Sequence, residues 1–280
     1  MSADPAGPAP GSSNLVLRLV AAGVMVPAAL ALAWAGGWFW IALVGAAACG
    51  LYSEWAMIVG AAGWSPVVVA GVVLVAVTTI ALGLAPAGLT LLALVLAGSV
   101  LTGALAASQR RLWTMAGFVY AMVAAIASVL MRQDPGMGLV ALLFVFFVVW
   151  ASDIGGYFAG RAIGGAKLWP RVSPKKTWAG AIGGLLASMA VAACFGVFGV
   201  GRLLPLIAVG AGLAVVSQCG DLFESAVKRH FGVKDSSQII PGHGGLMDRL
   251  DGFVAAIVVA AIMGFLRGGV DGVAGGLMIW

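Results

Sequence analysis

The residues able to do chemistry crowd into the second half of this 280-residue chain. Asp221, Glu224, Ser225 and Lys228 fall at i, i+3, i+4 and i+7, so on a helix they share one face. The bland reading of that face is a solvated surface with a Glu224–Lys228 pair. The segment continues directly from an apolar run, however, which puts Asp221 at a membrane edge, where a carboxylate needs a partner or a cation. Asp248 and Asp251 follow at i, i+3 and open the last long apolar run. Capping accounts for one acid at a helix start. It accounts less well for two beside Arg249 and a glycine loop. That loop, Pro241 to Gly245, surrounds His243 and could bring backbone N–H groups to phosphate oxygens, although the GxxxxGK[ST] pattern is absent. Hard carboxylate oxygens together with phosphate are the usual setting for Mg²⁺.

Two further acids lie inside apolar runs. Asp153 sits eight residues before Arg161, and an acid at that depth calls for a cavity, a cation or a basic partner. A helix–helix hydrogen bond is its structural alternative. Glu54 lies near the end of the second apolar run and could snorkel to the interface or line a site. Lys175 and Lys176 precede the seventh run, where their simplest use is topogenic or to attract anionic headgroups. Cys49, Cys194 and Cys219 are isolated, and no zinc or disulfide spacing exists.

The elements that must position these groups are set by lipid. Hydrophobic residues make up 62% of the chain and charged residues 9%, against about 25% charged in a soluble domain. The mean hydropathy is +1.10. Apolar runs of about 20 residues recur, and backbone groups in lipid must bond internally. The expectation is an all-α, polytopic helical membrane protein with about nine spans, at roughly 15–35, 38–59, 67–84, 88–107, 113–131, 138–160, 178–200, 203–219 and 252–267. Residues 1–13 read as a disordered tail, and 14–280 as a single membrane domain with its chemistry at about 150–252. The segment 270–280 is too short and glycine-rich to span, and is expected at the interface with Trp280. Gly156, Gly160 and Gly164 carry small-xxx-small spacing for close helix packing. With the N-terminus in the cytoplasm, 12 Lys and Arg residues face inward; Arg132, Arg202 and Arg267 face outward. The net charge of +5 is thus topological and does not suggest nucleic acid as a partner.

Residues 225–251 resemble the signature of the CDP-diacylglycerol synthases (phosphatidate cytidylyltransferases). The matching positions are Ser225, Lys228, Arg229, Lys234, Asp235, Ser237, Pro241, His243, Gly244, Gly245, Asp248, Arg249 and Asp251. Ser173 to Trp178, Asp153 with Tyr157, and Gly160-Arg161 are also similar to that family. The family usually continues Lys-Lys-Thr-Trp with Glu-Gly; here Ala179-Gly180 follows, so a role for that glutamate is absent or supplied elsewhere.

The resemblance implies that CTP and phosphatidate become CDP-diacylglycerol and pyrophosphate, with Mg²⁺, at the cytoplasmic face of a bacterial inner membrane. Its implied metal ligands are Asp221 and Asp248, with Asp251 and Asp153 supporting or lining the site. Lys175, Lys176, Lys228, Arg229 and Arg249 are the phosphate contacts, Ser225 joins the substrate-binding set, and His243, Gly244 and Gly245 shape the nucleotide phosphate site. The number of cations, one or two, is open, as is oligomeric state, a homodimer included. The chemistry is compatible: a phosphate nucleophile is already anionic, and cations do most of the work. Rival readings are a CTP-using lipid kinase, which would release CDP, an ion-coupled transporter and a scaffold. The late crowding of polar residues argues against the last two.

Overall fold

The computed structural model describes residues 12–84, 88–237 and 244–280, with side chains from Gly23 onward. Among the described residues ten α-helices follow one another: α1 (Ser12–Ala35), α2 (Gly37–Ile58), α3 (Pro66–Leu84), α4 (Leu89–Leu105), α5 (Arg111–Gln133), α6 (Gly138–Ile163), α7 (Trp178–Val197), α8 (Leu203–His230), α9 (Met247–Gly268) and α10 (Val273–Met278). A short hairpin, β1 (Lys167–Trp169) and β2 (Ser173–Thr177), separates α6 from α7. Each expected span falls on one of the first nine helices. Among the described residues, seven helices are long and apolar enough to cross a membrane by length and composition: α2, α3 and α5 to α9. The protein is an all-α polytopic membrane protein. The tail expected over 1–13 lies outside the described residues, except that Ser12 and Ser13 already belong to α1.

Large apolar side chains such as Val77, Leu92, Leu96, Ile182 and Leu266 are exposed, as lipid-facing residues must be. The protein core lies between α2, α5, α6, α8 and α9, where Trp55, Phe118, Phe144, Leu213 and Ile257 are fully buried. Buried aromatic polar tips find backbone acceptors: Trp40 Nε1 donates to Ser128 O at 3.0 Å, Trp55 Nε1 to Trp113 O at 2.8 Å and Tyr52 Oη to Val67 O at 3.0 Å. Without water, each would otherwise be an orphan.

Glycines bring α6 and α7 into backbone contact. A Cβ on Gly180 would stand 2.8 Å from Gly156 O, and one on Gly155 would stand 2.8 Å from Gly183 O. Gly156 and Gly160 therefore pack as their spacing suggests. Gly164 does not: it has open space around it and φ of +67°, and it ends α6. The basic residues flanking the early spans also cap helices. Arg132 donates to Ala33 O at 2.5 Å and Trp34 O at 3.1 Å at the end of α1, and Arg110 donates to Val59 O just beyond α2.

The C-terminal segment does not rest freely at the interface. Val273, Ala274, Leu277 and Met278 of α10 are fully buried, against α9 in particular. Arg267 donates to Gly276 O and Ile279 O and lies 3.5 Å over the Trp280 ring. Asp134, in the α5–α6 turn, holds α10 from the other side. Its carboxylate accepts from Gly136 N at 2.9 Å, Met137 N at 3.1 Å and Gly275 N at 2.8 Å. Burial pushes this carboxyl up, but the N–H donors of Gly275, Met137, Gly136 and Ala274 outweigh it and hold it below its ordinary value.

Asp134→Ala is expected to destabilise the protein by about 1–3 kcal/mol, the cost of leaving buried donors without an acceptor. The depressed carboxyl stabilises fully above its unfolded value, roughly 3.9, and this contribution is lost as pH falls through the lower folded value. Thermal unfolding in detergent as a function of pH should show the wild-type and variant curves separated at neutral pH and converging in acid.

Candidate functional site

Helix α8 runs unbroken for 28 residues from Leu203 to His230. It carries Asp221, Glu224, Ser225 and Lys228 out of the span on the shared face their spacing requires. Helix α9 starts at Met247, which puts Asp248 in its first turn and Asp251 just below. The two helices pack together and bring the two groups of acids side by side. Arg249, whose charge acts on Asp153, lies in the first turn of α9 beside them.

The inner part of the site is built on Lys228. Its Nζ lies 2.8 Å from Glu224 Oε2 and also bonds Asp248 Oδ1; the three side chains are 9%, 0% and 14% exposed. The Glu224–Lys228 pair therefore exists, but buried rather than solvated, and among the described residues both Glu224 oxygens lack a well-aligned hydrogen bond. The other oxygen of Asp248 accepts from Ser236 N at 3.1 Å, Ser236 Oγ at 3.0 Å and Gly245 N at 3.0 Å. One ammonium thus compensates two buried carboxylates, and a loop supplies the remaining donors.

The outer part faces the hairpin. Trp169 pairs with Ser173 and Lys167 with Thr177 in an antiparallel register. Successive strand residues point to opposite faces, so Lys175 and Lys176 diverge. Lys176 forms an ion pair with Asp221, whereas Lys175 is exposed. As the expected span over 178–200 requires, both lysines precede α7, which begins at Trp178 with Thr177 Oγ1 accepting from Gly180 N at 3.1 Å as its cap. Ser225 Oγ lies 3.5 Å from Asp221 Oδ1. Asp153 is exposed on α6, with Asp221, Lys176 and Arg249 as its charged neighbours. Asp251 joins the two parts: Asp221, Glu224 and Asp153 all act on it electrostatically, and its Oδ1 accepts from Gly252 N at 2.7 Å.

An apolar opening leads to this cluster. A cavity of about 290 Å³ is lined by Asp251 together with Tyr120, Val216, Phe223 and Ala255. A larger one of about 670 Å³ shares the last four of these residues and extends to Trp55, Met115 and Val259. A carboxylate therefore stands at the end of an apolar groove between α5, α8 and α9.

Of the residues singled out from sequence, Asp153, Lys176, Asp221, Ser225, Lys228, Gly245, Asp248 and Asp251 converge. Gly244 precedes the cluster with φ of +82°, a conformation that favours glycine. Arg229 is exposed and donates to Val233 O at 3.1 Å, so it closes the end of α8. His243 lies outside the described residues. Two participants were underrated. Glu54 does not snorkel: it is 0% exposed and accepts from four donors at 2.6–2.8 Å, on Ser236, Ser237, Leu246 and Met247. Gln218 Nε2 reaches Ser152 Oγ at 3.2 Å and Ala181 O at 3.1 Å, tying α8 to α6 and α7. Glu54 had one signal, a carboxylate inside an apolar run; Gln218 had none.

A group of this kind, acids interleaved with lysines at a membrane edge, suits several reactions of polyanions. The comparison with known proteins narrows the choice. Residues 16–266 match the model of the cytidylyltransferase family. The chain belongs to the cytidylyltransferase family. It is 38% identical over 267 residues to the phosphatidate cytidylyltransferase of Brucella suis biovar 1 (strain 1330), covering 90% of this chain and 94% of that protein. It is 48% identical over 131 residues to the phosphatidate cytidylyltransferase of Haemophilus influenzae, covering 45% of this chain and 46% of that one. The Staphylococcus saprophyticus protein of the same name is 46% identical over 129 residues, 45% and 49% of the two chains. The family match spans α8, all but the last two residues of α9, and every acid placed above.

Among the described residues, no three His, Cys, Asp or Glu side chains stand close enough to form a ready cation cage. The donor set nevertheless suits a hard divalent ion. Asp221 acts electrostatically on both Asp153 and Asp251, with Lys176 and Arg249 as nearby positive charge, and Asp248 stands in the first turn of α9 one turn before Asp251. Removing the cation from the inner part should be costly: Lys228→Met leaves Glu224 buried without a counter-charge and takes the ammonium from Asp248. A loss of about 3–5 kcal/mol is expected, measured by thermal unfolding in detergent; wild-type stability would refute the pairing.

Proposed function

We propose that this member of the cytidylyltransferase family transfers the cytidylyl group of CTP to phosphatidate. An oxygen of the lipid phosphate bonds to the α-phosphorus of CTP, the bond from that phosphorus to the β-bridging oxygen breaks, and pyrophosphate leaves with the electron pair. The observation that carries this reading is Asp251. It stands between the charged cluster and the apolar groove, so a lipid phosphate can meet the acids while its acyl chains remain among Tyr120, Phe223 and Val259. The names of the relatives support the same substrates.

The residues divide the work. No strong base is needed, because the attacking oxygen is already anionic. Lys176 and Arg249, beside Asp221 and Asp153, draw in and orient phosphate oxygens. Lys228 holds Asp248 and Glu224 in register, and the backbone N–H of Gly245 fixes the second oxygen of Asp248. Lys175, exposed on the hairpin, adds to the field that collects anionic headgroups. The carboxylates of Asp221 and Asp248, with Asp251 and Asp153 lining the site, would hold Mg²⁺, which when bound neutralises phosphate charge and stabilises the departing pyrophosphate. With more basic residues on the hairpin side, the site faces the cytoplasm of a bacterial inner membrane, where CTP is available.

Purified protein given phosphatidate, labelled CTP and Mg²⁺ should yield CDP-diacylglycerol and pyrophosphate in equal amounts. Release of CDP with a phosphorylated lipid would instead identify a kinase. Asp221→Asn and Asp248→Asn should each lower turnover by about 10²-fold or more, the effect of removing a charge-stabilising group. Near-normal rates at ordinary Mg²⁺ would refute the metal assignment.

A further inference from the structure

Glu54 lies on α2, in the half of the chain where the spans carry little chemistry, yet its carboxylate is buried at the polar end of α9. Among the described residues, four donors converge on it. Oε1 accepts from Ser237 Oγ at 2.6 Å and Leu246 N at 2.8 Å; Oε2 accepts from Ser236 Oγ at 2.8 Å and Met247 N at 2.7 Å. Leu246 and Met247 are the cap and first residue of α9, so an acid from a distant helix satisfies two of the N–H groups that α9 cannot. The positive end of the α9 dipole adds to the attraction. All four donors are neutral, two hydroxyls and two peptides.

The contacts connect Glu54 to the reacting acids. Ser236 Oγ lies 2.8 Å from Glu54 and 3.0 Å from Asp248, so one hydroxyl serves two carboxylates. Gly245 is pressed into the same space. A Cβ there would meet Ser236 Oγ at 1.8 Å and Glu54 Oε2 at 2.6 Å. The glycine thus allows the loop backbone to approach both acids while its N–H bonds Asp248. Gly50, one turn before Glu54 on α2, is held against Leu246, where a Cβ would stand 2.6 Å from Cδ2.

We propose that Glu54 is a positioning residue for cytidylyl transfer, fixing the first turn of α9 and the Ser236–Ser237 segment so that Asp248 is presented to the site in one orientation. This rests on the reaction proposed above. Glu54 touches neither substrate nor the reacting atoms; it acts through Ser236, Gly245 and the α9 cap.

Glu54→Gln tests this with little change of shape. Leu246 N bonds one carboxylate oxygen and Met247 N the other, so a glutamine must turn its NH₂ group toward one of two N–H donors. In the full-length protein, hydrogen exchange of a peptide covering 244–252 should quicken by about tenfold, while α5 keeps wild-type protection. Turnover per folded molecule should fall about 10–100-fold, the range for losing a group that orients a metal ligand. The Mg²⁺ needed for half-activation should rise, with KM for phosphatidate little changed. Ser236→Ala should act in the same direction, and combining it with Glu54→Gln should cost less than the product of the two effects. Should Glu54→Gln fail to fold, Ser236→Ala carries the same readouts with both backbone contacts of Glu54 intact. Faster exchange with unchanged turnover and Mg²⁺ dependence would make Glu54 a cap and no more, and would overturn the proposal, as would fully additive effects. A wild-type chain making no CDP-diacylglycerol would refute the reaction; unchanged exchange in Glu54→Gln would refute the positioning of α9 by Glu54 independently.

Discussion

Burying carboxylates beside a bilayer is costly unless each finds donors in the protein, and this constraint organises the polar end of the bundle. Glu224 and Asp248 share the ammonium of Lys228; Asp221 takes Lys176; Glu54 takes four neutral donors. These contacts come from α2, α8, α9, the hairpin and the loop before α9, so the charged cluster is also the joint at which those elements meet. The rest of the bundle is apolar packing that carries little directional information. Helix pairs such as α6 and α7 are specified by where glycines let backbones approach, and helix ends by arginines that reach across to carbonyl groups.

The apolar periodicity of the chain was enough to locate the helices, because lipid permits few alternatives to an internally bonded backbone. The helical spacing of Asp221, Glu224, Ser225 and Lys228 likewise showed their common face. Distance along the chain concealed Glu54. It is 182 residues from Ser236 and 193 from Met247, and a lone acid near a span end looks the same whether it reaches water or caps a remote helix. The paired lysines were hard to place for a different reason. Adjacent in sequence, they gave no sign of separate surroundings; the strand pleat sends Lys176 to Asp221 and leaves Lys175 at the surface.

The groove and the cluster have opposite character within a short distance. Tyr120, Phe223 and Ala255 line an apolar wall, and Asp251 closes it. No sequence pattern marks such a wall, since aromatic and aliphatic residues fill every span. It becomes visible only when α5, α8 and α9 are assembled. Asp251 is then seen to line the groove, with Asp221, Glu224 and Asp153 as its charged neighbours.

The unbroken course of α8 acts as a depth gauge. From Leu203 to Gly220 it advances about 27 Å at about 1.5 Å per residue, close to the roughly 30 Å of a hydrocarbon layer. Asp221 therefore stands about one hydrocarbon thickness from the start of α8, whatever the loops do. A thicker or thinner bilayer would be met by tilting this rod, and the acid would be raised or lowered with it relative to the plane of lipid phosphates.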